Sequence, residues 1–155
     1  MRGYFAYELY QQMKKNTDIW LICVDLGYKV FDTHFREFPK RCINTGAAEQ
    51  AAMGIACGLA LEGKIPFIYS ISTFLLFRPF ETIRNYVHHE SIPVKLIGSG
   101  RDHDYEHDGI SHWITEDRKI MRDIFPNIQA HWPERKEQIN ARLLGPKGTE
   151  ELGDI

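Results

Sequence analysis

Short runs of consecutive apolar residues recur along this chain, and longer segments with helical spacing of their apolar positions lie between them. A short continuous apolar run is typical of a strand that is buried on both faces, as in a parallel sheet. The alternation of such strands with helices predicts a three-layer α/β fold with a doubly wound, mostly parallel sheet. The predicted strands are 19–24, 65–70, 93–98 and 127–131, and the predicted helices are 2–15, 48–61, 73–89, 114–124 and 134–144.

The length and composition fit one globular domain. A chain of 155 residues can bury the core of one domain and is too short for two ordinary ones. We expect the domain to span residues 1–144, and the Gly-, Pro- and Glu-rich residues 145–155 to form a flexible tail. The net charge of -2 and the lack of a basic stripe give no reason to expect a nucleic-acid partner.

The cysteines and the apolar segments predict the cellular compartment. The N-terminus has no apolar signal core, and no apolar run is long enough for a membrane helix. The chain has three cysteines, an odd number, and they lack a paired spacing and lie in apolar surroundings. They are Cys23, Cys42 and Cys57. We interpret them as reduced core residues of a cytoplasmic protein.

Several polar segments directly follow predicted strands. Doubly wound folds bind their ligands beyond the carboxyl ends of the strands. Asp25, residues 72–74 and residues 98–112 occupy such positions, so we expect them at one edge of the sheet. Asp25 could hydrogen-bond a ligand there, or it could end its strand as a turn residue.

Glu49 lies at the start of a predicted helix that is rich in alanine and glycine. A carboxylate at this position commonly pairs with the helix dipole and has no further role. Most neighbouring residues along the helix are apolar, however, so this acid has few polar neighbours there. An acid in such surroundings is suited to proton exchange with a ring nitrogen, which is the functional alternative.

Phe74, Phe77 and Phe80 follow one another at intervals of three residues. This spacing predicts one face of a helix, where such rings usually belong to the core. Phe74 also follows directly after a strand end, where a ring could face a ligand. Arg78 and Arg84 flank these rings and could face a partner or extend along the apolar surface towards solvent.

The segment 98–112 combines acidic and imidazole side chains with three glycines. The histidine spacing matches no closed zinc pattern, so we predict no metal site here. A solvated loop and a loop that binds a polar substrate both remain open, since glycines allow a ligand to approach the backbone closely. The acidic and imidazole residues are Asp102, His103, Asp104, Glu106, His107, Asp108 and His112.

The order of these motifs resembles the pyrimidine-binding domain of transketolase-type thiamine diphosphate enzymes. The similarity is greatest to the separate C-terminal subunit of split transketolases, with 1-deoxyxylulose-5-phosphate synthase as a nearby relative. It extends from about the first residue to about Pro133, and it implies the thiamine diphosphate-binding fold. The matching segments are 24–27, 38–50, 58–63, 72–85, 108–112 and 116–117.

The resemblance implies a role for each candidate residue. Glu49 would contact N1′ of the cofactor's aminopyrimidine and exchange a proton with it. Asp25 would lie in the cofactor's surroundings, and Phe74, Phe77 and Phe80 would surround the pyrimidine. The residues implied on the substrate side are Asp108, His112, Arg2 and Arg101, of which His112 would contact the reacting carbonyl end.

The chain departs from the family pattern at several positions. Gly100-Arg101 stands near a usual histidine, Trp132 precedes Pro133 where an arginine is common, and Lys29 replaces a small hydroxyl residue. The Gly-Asp-Gly motif with a distant Asn, which holds diphosphate and Mg²⁺, is absent. The resemblance therefore implies a separate diphosphate-binding subunit that carries the magnesium site.

The resemblance also implies an assembly and a reaction. We expect a heterotetramer in which pyrimidine domains contact each other, with Gly54 and Gly58 allowing close packing of the helix at 48–61. The expected reaction is transfer of a two-carbon ketol unit between sugars or sugar phosphates. The alternatives are a decarboxylating subunit, as in 1-deoxyxylulose-5-phosphate synthase or the E1 beta chain of 2-oxo acid dehydrogenases, and a non-catalytic remnant that binds a partner.

Overall fold

A parallel sheet forms the centre of the computed structural model, which describes residues 1–100 and 102–139. The described strands form one four-stranded sheet in the order β2-β1-β3-β4, and every neighbouring pair is parallel. The carboxyl ends of all four strands therefore meet at one edge. The strands are β1 (Ile19–Cys23), β2 (Cys42–Asn44), β3 (Ile65–Ile71) and β4 (Lys95–Ser99).

Helices connect the strands and cover the sheet. The α-helices are α1 (Arg2–Lys15), α2 (Asp32–Glu37), α3 (Glu49–Leu61), α4 (Ser72–Phe77), α5 (Phe80–Thr82) and α6 (Asp117–Asp123). A π-helix, Ile83–His89, follows α5, and a 3₁₀ turn, Glu106–Asp108, interrupts the loop after β4. Among the described residues, no helix has the length and apolar character needed to cross a membrane.

Strands β1 and β3 bury both of their faces, which confirms the three-layer arrangement. Ile22 of β1 and Ile68 of β3 belong to one core cluster, together with residues of α3, α4 and α6. Leu21 and Phe67, one position earlier on each strand, belong to a second cluster with residues of α1 and α2. Successive side chains of a strand point to opposite faces, so one continuous apolar run supplies both clusters.

The predicted strand at 127–131 is wrong. Ile128 and Ala130 pack against the first core cluster, but the backbone there is irregular. The sequence analysis missed strand β2, which has three residues and lies at the end of the strand order, beside β1. Helix α2 was also missed.

The long helix predicted at 73–89 is interrupted at Pro79. Proline has no backbone N–H to continue a helical ladder, so α4 ends before it and a new helical segment begins after it. The helix predicted at 114–124 begins only at Asp117, since Ile114 pairs with Asp102 in an isolated antiparallel bridge. Residues 137–139 are helical, whereas the rest of the predicted last helix and the tail lie outside the described residues.

Candidate functional site

The turn between β2 and α3 brings Glu49 to the carboxyl edge of the sheet. The Asn44 side chain accepts a hydrogen bond from the Gly46 N–H at 2.9 Å, directly after β2 ends. Gly46 has a φ of 64°, in the left-handed region that glycine enters without a steric cost. This turn makes Glu49 the first residue of α3, where a carboxylate interacts favourably with the helix dipole.

Glu49 is buried and has polar partners from two other elements. Its side chain is 2% exposed. Ser70, near the end of β3, donates a hydrogen bond to Oε1 at the long distance of 3.3 Å. Arg78 donates from Nη1 to Oε2 at 2.8 Å and forms an ion pair. The two carboxylate oxygens are therefore held unequally, and Oε1 is the less firmly bound.

Arg78 connects this acid to an aromatic ring. Its guanidinium carbon lies 3.9 Å from the centroid of the Phe74 ring, within the range of a cation–π interaction. Phe74 in turn meets the His112 ring edge-on, at a centroid distance of 4.9 Å. We refer to Glu49, Ser70, Phe74, Arg78 and His112 as the Glu49 cluster. It joins β3, α3 and α4 to the loop after β4.

The expectation that Glu49 has few polar neighbours holds only along its own helix. Ser70 and Arg78 lie 21 and 29 residues away in sequence. The sequence analysis named Arg78 as a flanking residue and did not predict its contact with Glu49. The sequence did contain a signal for the position of Arg78 beside Phe74. The two residues are four apart, and such residues share a helical face.

The three phenylalanines have different surroundings. Phe74 is half-buried beneath Arg78. Phe77 is 47% exposed. Phe80 packs on Phe125 at 5.1 Å between ring centroids and lies against the first core cluster. The helix break at Pro79 separates Phe80 from the other two, so the three rings do not line one continuous helical face.

Asp25 and Arg2 share a cavity of about 450 Å³ at the same edge of the sheet. Asp25 follows β1 in a left-handed conformation with φ 47°. Asn44 and Tyr69, from the ends of the two neighbouring strands, also line this cavity. Arg2 donates a hydrogen bond to the Tyr105 hydroxyl at 2.9 Å, which links α1 to the loop after β4.

A larger cavity of about 840 Å³ runs along the free edge of β4. Its walls include Lys95, whose pKa burial lowers, and Asp117, which accepts a hydrogen bond from the Trp132 indole at 2.6 Å. Glu49 and Phe74 do not line it. We therefore assign the candidate site to the Glu49 cluster and not to this cavity, because the buried acid and the aromatic ring lie in the cluster.

The loop after β4 bonds mostly within itself. His107 and Asp108 form an exposed pair at 3.2 Å, and Ser111 Oγ lies 2.9 Å from Nδ1 of His112. The structure thus brings His112 into the Glu49 cluster, while Asp108 remains exposed on its 3₁₀ turn. Arg101 lies outside the described residues. In the described part of the chain, no group of three or more His, Cys, Asp or Glu residues could hold a metal ion.

The cysteines take no part in the cluster. Cys23, Cys42 and Cys57 are free and buried. Burial raises the pKa of Cys23 to about 12 and that of Cys42 to about 11, so neither thiol forms a reactive thiolate near neutral pH.

Comparisons with known proteins were made for sequence and for structure. The family described as "Transketolase, pyrimidine binding domain" matches residues 1–144. A transketolase C-terminal section of Methanocaldococcus jannaschii is 38% identical over 129 residues, which cover 83% of this chain and 40% of that protein. The 6-deoxy-6-sulfo-D-fructose transketolase subunit SqwH of Clostridium sp. strain MSTE9 is 35% identical, over 68% of this chain and 33% of that subunit.

Two further similarities extend this result. A 1-deoxy-D-xylulose-5-phosphate synthase of Tropheryma whipplei is 33% identical over 132 residues, which cover 84% of this chain and 20% of the synthase. The solved structure of a split gene transketolase, described as an inactive beta4 tetramer, superposes with a TM-score of 0.67 at 33% identity. That match covers 79% of this chain and 40% of the other. The chain thus spans 40% or less of the length of these relatives.

Proposed function

The chain belongs to the transketolase pyrimidine-binding domain family, and from this premise we propose that it supplies the pyrimidine half of a thiamine diphosphate site. The enzyme would be a transketolase-like transferase that moves a two-carbon ketol unit between sugars or sugar phosphates. The observation that carries the proposal is the buried carboxylate of Glu49, which lies at the carboxyl edge of the sheet beside an aromatic ring.

The described residues fit the pyrimidine ring of the cofactor. Glu49 already holds one flat, nitrogen-bearing group against an aromatic face, since it binds the guanidinium of Arg78 above Phe74. An aminopyrimidine needs the same two contacts, a carboxyl group at a ring nitrogen and an aromatic surface. The exposed ring of Phe77 supplies further apolar surface at the end of α4. When bound, thiamine diphosphate would supply the nucleophilic carbon for ketol transfer.

Each remaining candidate residue has a proposed task. Glu49 would exchange a proton with the ring nitrogen. His112, beside Phe74, would contact the reacting carbonyl end of the sugar. Asp25 would lie near the cofactor, and Asp108, Arg2 and Arg101 would bind sugar hydroxyls or a phosphate. These assignments follow the family's motifs.

We propose that a separate transketolase subunit holds the diphosphate and Mg²⁺. The sequence lacks the Gly-Asp-Gly motif with its distant Asn, and the relatives include proteins named as transketolase subunits or sections. The active form would be a cytoplasmic heterotetramer in which the cofactor lies between unlike chains.

Helix α3 is proposed as the contact between two pyrimidine domains. Ala51, Gly54, Ile55 and Gly58 are exposed on it, and a Cβ added at either glycine would meet no atom within 4 Å. Gly54→Glu would therefore fit the isolated domain but obstruct a close helix contact. We expect it to weaken self-association at least about tenfold by sedimentation equilibrium. Gly3→Glu, at an exposed glycine of α1 where an added Cβ also meets no atom within 4 Å, is the matched control and should associate like the wild type. Equal association of Gly54→Glu and the wild type would exclude this interface.

The catalytic proposal is tested in the complex with a transketolase subunit that carries the Gly-Asp-Gly motif and co-purifies with this chain. Ketol transfer from hydroxypyruvate to an aldose is measured with thiamine diphosphate and Mg²⁺. We expect Glu49→Gln to assemble normally and to lose at least about a hundredfold in turnover, the usual scale for a lost acid–base group. Glu62→Gln, at the exposed end of the same helix, is the matched control and should keep full turnover. Unimpaired turnover by Glu49→Gln would refute the proposal.

The similarity to 1-deoxy-D-xylulose-5-phosphate synthase supports a second candidate function, decarboxylating transfer from a 2-oxo acid. The two functions differ in the donor that is accepted and in the unit transferred. Hydroxypyruvate loses carbon dioxide and delivers the two-carbon ketol unit, whereas pyruvate loses carbon dioxide and delivers a two-carbon unit without the hydroxymethyl group. The same complex, supplied with pyruvate in place of hydroxypyruvate, distinguishes them. We expect turnover with hydroxypyruvate, and carbon dioxide release from pyruvate at a higher rate would favour the second function.

A further inference from the structure

The Arg78 side chain makes the contacts that the proposed function requires of an aminopyrimidine ring. A guanidinium group is planar, delocalised and rich in N–H donors. Here it lies 3.9 Å from the Phe74 ring centroid and donates to Glu49 Oε2 at 2.8 Å. One flat group thus contacts both the aromatic ring and the buried acid.

Arg78 also lies between that acid and the solvent. The side chain of Glu49 is 2% exposed, whereas that of Arg78 is 46% exposed. The guanidinium covers the Oε2 side of this buried acid. A ring nitrogen that binds Oε2 takes the position of this group.

The attachment of Arg78 allows such an exchange. Within the described ranges 1–100 and 102–139, Glu49 is the only hydrogen-bond partner recorded for the Arg78 side chain. Arg78 lies at the end of α4, and Pro79 interrupts the helix directly after it. Because Glu49 is buried, losing this partner without a replacement would leave an unpaired charge, so the guanidinium turns into solvent only as a ring nitrogen takes its place.

We propose that Arg78 occupies the pyrimidine position of the Glu49 site in the uncomplexed chain and must be displaced when the cofactor binds. This inference rests on the proposed function and adds a means of regulation to it. The guanidinium compensates the buried charge of Glu49 until the ring arrives. The site therefore has no unpaired buried carboxylate before assembly.

The test measures binding of the hydroxymethyl aminopyrimidine that forms one half of thiamine, by NMR shift titration of the whole chain. Arg78→Met removes the competing group, so we expect about tenfold tighter binding, equivalent to one charge-assisted hydrogen bond no longer broken. Arg84→Met is the matched control, because Arg84 is exposed and its recorded partner is the adjacent Asn85. It should bind like the wild type.

Two further variants keep the outcome decisive. Arg78→Lys keeps a positive charge for folding but has no planar face, and we expect its affinity between those of the wild type and Arg78→Met. Glu49→Gln, combined with Arg78→Met, should abolish the gain in affinity. Far-ultraviolet circular dichroism verifies that each variant is folded.

The possible failures are distinguishable. If the wild type binds the probe through Glu49 and both Arg78 variants bind it equally or more weakly, Arg78 orients the acid and this inference is wrong. If binding is absent in all variants, or does not depend on Glu49, the proposed pyrimidine site itself is wrong. The inference then fails together with the proposed function.

Discussion

Two arginines in this protein lie against phenylalanine rings at opposite ends of the sheet, and they bind different acceptors. Arg41 lies 4.7 Å from the centroid of Phe38 and donates to the carbonyl oxygens of Met13, Asn16 and Ile19 at 3.0–3.1 Å. These carbonyls belong to the end of α1 and the start of β1. Arg78, at the carboxyl ends of the strands, donates to the side chain of Glu49.

The difference indicates which arginine has a structural role. Backbone carbonyls between α1 and β1 must be satisfied in every state of the protein, and no ligand can replace Arg41 there. A carboxylate can instead exchange one flat cationic or N–H-bearing partner for another. An arginine on a phenylalanine ring thus stabilises the fold at one end of the sheet. At the other end, an arginine on a phenylalanine ring binds a carboxylate that can exchange it for a ligand.

The largest expected effect is on stability. Arg41→Met removes three charge-assisted hydrogen bonds, so we expect the free energy of unfolding to fall by about 2–4 kcal/mol. Arg78→Met combined with Glu49→Gln removes both partners of the ion pair at the other end of the sheet, so no buried charge is left unpaired and the cost should be about 1 kcal/mol or less. Urea denaturation of both variants measures the difference. Equal losses would contradict the comparison, since the pair of Arg78 and Glu49 would then have a structural role as well.

A smaller effect should depend on pH and arise on the Arg41 side of the sheet. His34 of α2 is buried, and its Nε2 donates to the Ala6 carbonyl at 3.0 Å, while its Nδ1 has no partner among the described residues. Burial lowers the pKa of His34 below its usual 6.5. Below pH 6.5 the unfolded chain therefore binds a proton before the folded chain does, and stability falls as the pH falls.

His34→Gln tests this expectation, because glutamine retains a donor for the Ala6 carbonyl and does not titrate. We expect the variant to lose the His34 part of the slope of unfolding free energy against pH between pH 6.5 and 5. Arg84→Met, at an exposed arginine beside Asn85, should leave that slope unchanged. An unaltered slope in His34→Gln would assign the pH dependence to other groups.

The sequence predicted those parts of the fold that depend on local apolar patterns. The runs at β1 and β3 are continuous because both faces of these strands are buried, and the helix break follows from the chemistry of Pro79. Strand β4 was also predicted, although it is only partly buried. Strand β2 was missed, since three residues are too few for a recognisable pattern. The segment 127–131 was wrongly predicted as a strand, because Ile128 and Ala130 alternate and pack on the core without a strand partner.

The sequence identified the residues of the candidate site, but it did not predict which of these residues contact each other. Glu49 and the rings were recognisable from their order and spacing. The partner of Glu49 was not, because 29 residues separate it from Arg78 and the pairing depends on how α3 and α4 pack around β3. A charged residue next to an aromatic run is compatible with solvent, a partner or an acid, and only the folded chain distinguishes these.

The central claim is that Glu49 exchanges a proton with the cofactor's ring nitrogen. Its most direct test is the rate at which thiamine diphosphate exchanges its C2 proton for deuterium in the complex with the diphosphate-binding subunit, followed by quenched-flow NMR. We predict that Glu49→Gln slows this exchange at least about a hundredfold while Glu62→Gln leaves it unchanged. Exchange at the wild-type rate in Glu49→Gln would contradict the account.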